Sequence, residues 1–349
     1  MRVIAWPAFK TKLNNPYNWL LYKSLSDMGV NVSEYSVLKI LLSNYEIFHI
    51  HWPDYQLASK KLSIAVFRVA YLFFILTIAK LKNIKVIWTV HNIYSHERNH
   101  VRLERLFWNM LPGFLDGYIC LSEGGKQAVE SVHTALRKLP GFVVPHGHYR
   151  DVYSNSISKD SARKRLNIDP NVVVLLFIGA IRPYKNICNL IEIFNSIDDE
   201  NLVLLVAGKS YDEDLLSKIR KLSSGNSRII LKLEYINEDD VQVYMNSSDL
   251  VVLPYSDILN SGSAILALSF NRPILVPNKG AINDLKTLLG PDWVNVYDGE
   301  FSSQVLKQSI SKSAFVQGCQ TNLDELSWNR IAENTAAVYR SVLSVGKRS

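Results

Sequence analysis

Apolar positions in this chain alternate between two periods. Short β-branched runs, RVIAW, VNVSEY, EIFHIHW, KVIWTVHN and GYICLS, mark the first 150 residues. Helical spacing separates them, from Tyr17 to Met28, through the long apolar run Ser63 to Ala79, and from Glu123 onward. Near-continuous apolar strands alternating with helices indicate βα units on a parallel sheet covered on both faces. A short strand in FVVPHG closes this half, and residues 151–170, polar and turn-rich, read as a linker. The pattern then restarts with VVVLLFIGA, LVLLVAGK, RIILKLEYI, DLVVLPYS and PILVPN, again separated by helical stretches. The expected class is α/β: two domains with parallel sheets, over 1–150 and 171–325, with a last helix over 326–349. Facing each other, such domains put the carboxyl ends of both sheets at a central cleft, where open α/β sheets bind ligands.

One stretch carries chemistry as well as structure. In VVVLLFIGAIRPYKN the apolar run breaks at Gly179, passes Arg182, Pro183 and Lys185, and enters the helical spacing Ile187, Leu190, Ile191, Phe194. A buried strand, a basic turn and a helix start bring free N–H groups and two cations to a point where the helix dipole already favours an anion. A phosphate or diphosphate suits this corner; the alternative is a pair of solvated loop cations. Gly208 and Lys209 end the next strand on the same sheet edge, within reach of such a ligand. Ser261 and Gly262 open a later helix with a hydroxyl and free amides, and serve equally as a plain N-cap.

Composition narrows the partners. With 349 residues, 48% hydrophobic and 20% charged, the chain is long enough for two cores and is not disordered. The net charge of +7 calls for an anionic partner, and the lack of a basic stripe interleaved with aromatics argues against nucleic acid. Cys120, Cys188 and Cys319 lie far apart with no CxxC pair, which fits a reducing, cytoplasmic compartment. The N-terminus lacks the apolar core of a signal peptide and reads as a strand. Ser63 to Ala79, with Arg68 inside and Lys60, Lys61, Lys80, Lys82 and Lys85 around it, is short for a span of roughly 20 residues. It reads first as a core helix, with contact to an anionic leaflet as the alternative.

Histidines gather at strand ends in the first half: His49 and His51, His91, His96 and His100, His146 and His148. Strand alternation puts His49 and His51 on one face. Such residues suit proton transfer, although each singly is also a structural histidine. HERNH, His96 to His100, matches the HExxH zinc pattern, so a zinc-dependent hydrolase using His96, Glu97 and His100 is a remote alternative. Charged Arg98 and an unexplained second half speak against it. Asp212-Glu-Asp214 mimics a metal-binding DxD but opens a polar helix.

Taken in order, GAIRPYKN, Asp249 to Tyr255 (DLVVLPY), Ser261-Gly262-Ser263 before RPILVPN, and a tail with Trp328, Ile331, Ala332 and Tyr339 resemble the GT-B glycosyltransferases over most of the chain. The resemblance implies two Rossmann-like domains and a closing helix that returns to the first. It implies a hexosyltransferase whose co-substrate is a GDP- or UDP-linked sugar, with no other cofactor and no metal. Gly179, Arg182, Lys185, Gly208, Lys209, Tyr255, Ser261, Gly262 and Ser263 would hold the donor. Tyr235 and Ile236 sit where relatives read the base through the backbone, and His91 where they touch the transferred sugar. On the acceptor side stand His51, His96 and His146, with Glu97 as the proton acceptor and Asp54 behind it. HIHWPD, TVHN followed by HE, PHGHY and IRPYKN are similar to bacterial exopolysaccharide members, among them mannosyltransferases using GDP-mannose. That similarity implies mannose transfer to a lipid-linked saccharide in exopolysaccharide or surface-glycan assembly, peripherally at the cytoplasmic face of the membrane. A retaining UDP-sugar hexosyltransferase is the alternative. Two departures stand out: Ile258 and Leu266 replace a common glutamate pair, and Ala180 replaces a usual arginine. The diphosphate then falls to Arg182 and Lys185.

Overall fold

The computed structural model describes residues 1–12, 15–94, 99–256 and 259–345, which divide into two compact units. The first is Met1–Gly147 with Glu325–Ser349, the second His148–Asp324.

In the first unit β1 (Arg2–Trp6), β2 (Asn31–Glu34), β3 (Ile47–His51), β4 (Lys85–Val90), β5 (Gly117–Cys120) and β6 (Gly141–Val143) form one parallel sheet in the order β2-β1-β3-β4-β5-β6. β3 is buried along its whole length, as a central parallel strand covered on both faces should be. The apolar run Ser63 to Ala79 lies in the helix Leu62–Leu81, which buries Ala65, Val69, Leu72, Leu76 and Ala79. Its other face stays open, with Phe67 72%, Phe74 60% and Leu81 79% exposed. The lysines around it are not all free: Lys80 and Lys85 both pair with Asp116, and Lys82 Nζ donates to the Ile40, Leu41 and Ser43 carbonyls. The helix Trp328–Val345 belongs to this unit, burying Ile331, Ala332 and Tyr339. Trp328 packs on Gly147, where a Cβ would stand 2.5 Å from the indole, so only glycine admits the ring.

In the second unit β7 (Val173–Ile178), β8 (Leu202–Ala207), β9 (Ile229–Lys232), β10 (Leu250–Val252), β11 (Ile274–Pro277) and β12 (Val294–Tyr297) form a parallel sheet ordered β12-β11-β10-β7-β8-β9. β12 was absent from the expected strands, because VNVY is too short to show a period and becomes a strand by pairing with β11. The stretch read as a linker carries the helix Lys159–Leu166, whose N-terminus is capped by Ser158. Arg163 on that helix is buried; its guanidinium meets Asp249 at 2.7 Å and donates to the Ser247 carbonyl at 3.1 Å. Asp249 also takes Lys159 and the Val174 N–H. A buried charge inside a polar pattern is what ties this segment to the sheet, and residue type alone does not reveal it.

Candidate donor and acceptor sites

At the carboxyl ends of β7, β8 and β9 the loops interlock. Gly179 N–H donates to the Ala207 carbonyl at 3.0 Å, Ile181 N–H to Lys209 at 2.9 Å, and Gly208 N–H to Lys232 at 2.9 Å. Gly179 has φ +123°, and a Cβ there would meet Ser263 Oγ at 3.1 Å and Lys185 Nζ at 3.2 Å. The three residues therefore converge on one point. Lys185 ends the short turn Pro183–Lys185, after which Asn186 takes a left-handed φ of 58° to start the helix Ile187–Asn195. Lys185 is only 8% exposed; its Nζ lies 5.1 Å from the centre of the Tyr255 ring and 5.8 Å from that of Phe177. No carboxylate pairs with it among the described residues. Holding a cation this deep without a counter-charge costs on the order of several kcal/mol, which makes this corner a candidate anion site. Among the described residues the buried Tyr255 hydroxyl has no hydrogen-bond partner either.

The other donor-side candidates are spread around this point. Ser261 Oγ accepts the Ala264 N–H at 3.1 Å, so it does cap its helix, and Gly262 lies exposed beside it with the Tyr149 hydroxyl 3.4 Å from where a Cβ would be. Arg182 and Lys209 are exposed, Lys209 over the Tyr211 ring at 4.6 Å; Tyr235 is exposed and Ile236 half-buried. Among the described residues no side-chain hydrogen bond, ion pair or ring contact joins these four to Lys185. Asp212 accepts the Leu215 N–H at 3.0 Å, so the DxD mimic is a helix cap. Ile258 lies outside the described residues, and Leu266 is half-buried.

The first unit places its described candidates after the carboxyl ends of β3, β4 and β6. Glu97 and His96 lie outside the described residues; His100 Nε2 donates to the Ser59 carbonyl at 2.8 Å. Asp54, buried in the turn Pro53–Leu57, accepts from Asn92 Nδ2 at 3.4 Å, and burial pushes its carboxyl up to about 6. His91 stacks on Trp52 with ring centres 4.1 Å apart and meets the edge of Tyr17 at 5.0 Å. Trp52 reaches this position with a left-handed φ of 45°, which costs a bulky residue roughly 1–2 kcal/mol. His146 packs on Tyr17 at 4.8 Å and donates from Nδ1 to the Gly147 carbonyl at 2.7 Å. Burial lowers His146 to about 4 and His49 to about 3, and holds His51 and His91 well below the usual range with help from neighbouring imidazoles.

These shifts set a pH dependence. An unfolded histidine titrates near 6.5, whereas native His146 and His49 stay neutral to about 4 and 3. Their contribution is complete above pH 6.5 and is lost as pH falls, because the unfolded chain takes up protons that the native state refuses. Asp54 works in the opposite sense, its contribution being lost as pH rises through about 6, but it is one group against several. Thermal melts should therefore show Tm falling from pH 7 to pH 5; a flat or rising Tm would contradict the neutral buried imidazoles.

Two six-stranded parallel sheets in two units are the architecture of the GT-B fold, shared with solved glycosyltransferases. Residues 158–284 match the family model described as "Glycosyl transferases group 1", so the chain carries that domain. Along 94% of its length it is 28% identical to the GDP-mannose:glycolipid 4-beta-D-mannosyltransferase of Xanthomonas campestris pv. campestris, covering 89% of that protein. A lipopolysaccharide 1,2-N-acetylglucosaminetransferase of Salmonella typhimurium is 23% identical over 58% of this chain and 52% of its own. Among solved structures, sucrose-phosphate synthase from Thermosynechococcus elongatus superimposes with a TM-score of 0.69 at 14% identity, covering 99% of this chain and 100% of that one. Anabaena HepE in complex with UDP and glucose gives 0.64 at 15% identity, covering 97% and 99%. These two likenesses establish the fold.

Proposed function

We propose that this enzyme transfers mannose from GDP-mannose to a lipid-linked saccharide in exopolysaccharide or surface-glycan assembly, working peripherally at the cytoplasmic face of the membrane. The observation that carries this reading is the near full-length similarity to an enzyme named for GDP-mannose and a glycolipid. Lys185, buried beside Gly179 and Ser263 and with no carboxylate partner among the described residues, supports it. The donor diphosphate would neutralise Lys185, with Arg182 at the rim, and the charge developing on the leaving group would be held there. The acceptor oxygen bonds to the sugar's anomeric carbon, the bond from that carbon to the diphosphate breaks, and the electron pair leaves with GDP. The acceptor proton goes to a carboxylate. Asp54, at about 6, titrates where a general base for neutral pH should, and Glu97 is the other candidate. His91 would meet a hydroxyl of the transferred sugar, with His51, His96 and His146 around it.

The exposed face of Leu62–Leu81, with Phe67, Phe74 and Leu81 and with exposed Lys60 and Lys61 at its start, suits the surface of an anionic leaflet. One experiment tests the whole reading: label transfer from GDP-mannose to glycolipid in anionic vesicles, with flotation of the enzyme and thermal shifts by GDP and UDP alongside. Transfer, co-flotation and a larger shift with GDP are expected. A larger shift with UDP and transfer from a UDP-sugar would favour the retaining alternative, and protein left at the bottom of the gradient would remove the membrane contact.

A further inference from the structure

A hydrogen-bonded chain runs through the interior of the first unit behind His91. Thr89 Oγ1 lies 2.7 Å from His49 Nε2, and His49 Nδ1 lies 2.6 Å from the Tyr339 hydroxyl. Tyr339 is hydrogen-bonded to Tyr22, whose hydroxyl is 2.6 Å from His51 Nε2. His51 Nδ1 in turn is 3.0 Å from His91 Nε2. Tyr22, His49 and Tyr339 are closed to solvent, and Thr89 and His51 nearly so. The chain joins β3, β4, the helix Tyr17–Asp27 and the helix Trp328–Val345, elements from both ends of the sequence.

A neutral imidazole has one nitrogen that donates and one that accepts, so each link depends on the one before it. With every member neutral, the chain has two self-consistent proton arrangements, all bonds pointing toward His91 or all pointing away. One places the His91 proton on Nδ1, the other on Nε2. Changing between them requires every bond to reverse together. An apolar interior would be less costly, since phenylalanine fills the volume of either tyrosine and burying polar groups demands that all of them be satisfied.

We propose that Tyr22, His49, His51 and Tyr339 are positioning residues for His91. They couple the His91 ring proton to the direction of the whole chain, so that it cannot pass from one nitrogen to the other unless every bond reverses, and thereby hold the hydrogen-bonding character of the imidazole that meets the transferred sugar; Trp52, stacked at 4.1 Å, fixes the ring plane. The proposal rests on the reading that His91 meets that sugar.

The test is nitrogen NMR of the full-length protein labelled in its histidines, together with donor kinetics. In the wild type His91 should show one neutral tautomer; a mixture would overturn the proposal whatever any variant does. Tyr339→Phe and Tyr22→Phe should give a mixture at His91 and lower kcat by about tenfold with little change in donor KM. A lower melting temperature with unchanged His91 signals and unchanged kcat would show a structural role only and overturn it. Should either tyrosine variant fail to fold, Thr89→Val removes the far end of the chain at constant shape and should disturb the His91 tautomer in the same way. His91→Ala separates the two readings: full turnover there would remove the sugar contact, while the tautomer measurement would still decide the chain.

Discussion

Lys185→Ala is expected to lower kcat/KM for the donor by about 10²–10³-fold, the scale seen when one preorganised group facing developing charge is removed. Lys185 is the buried cation at the point where Gly179 and Ser263 converge, and it has no counter-charge among the described residues. The same facts predict an opposite effect on the empty protein. Lys185→Met keeps the volume, removes the buried charge and should raise stability by about 1 kcal/mol or more while abolishing the response to nucleotide. Calorimetry with and without GDP, run beside the transfer assay, reads both signs. A Lys185→Met protein that is less stable when empty, or still stabilised by GDP, would contradict the anion corner.

Gly208→Ala is expected to destabilise the second unit by roughly 2–5 kcal/mol, from strain at a backbone conformation that L residues avoid and from overpacking. Gly208 has φ +151°, and its added Cβ would stand 1.9 Å from the Gly179 carbonyl oxygen. The obstacle is backbone, so no side chain can swing aside. Relief requires the ends of β7 and β8 to separate, which also moves Gly179 away from Lys185. Denaturant unfolding measures the first consequence, and a donor KM raised out of proportion to the folded fraction measures the second. By contrast Gly225→Ala, at φ +84° with open space around it, carries only the conformational penalty. A Gly208→Ala protein as stable as Gly225→Ala would refute the close packing.

The strand, basic turn and helix of the candidate donor corner were legible because they are contiguous. Gly179 to Asn186 spell a strand end, a basic turn and a helix start within a few residues, and local periodicity shows all three. Arg163 shows the limit of such reading. It sits among charged neighbours in a helix whose sequence is polar, and only the packing of that helix against Asp249 buries it. Tyr17 and Tyr22 share a helix with Leu21 and Leu25 and look like ordinary core residues. No pattern within that helix signals that the Tyr22 hydroxyl faces His51.

By itself the sequence determined two parallel α/β sheets, their order along the chain, and a basic turn between strand and helix at the end of β7, because strand and helix periods and turn residues act over short distances. The tertiary structure alone decided which charges are buried and which polar groups meet. Ser263 reaches Gly179 and Lys185 only when β7 and β10 pair, and Tyr339 reaches His49 only when the last helix packs into the first unit. Burial, not residue type, leaves Lys185 in need of an anion and keeps the imidazoles neutral, and burial belongs to the fold as a whole.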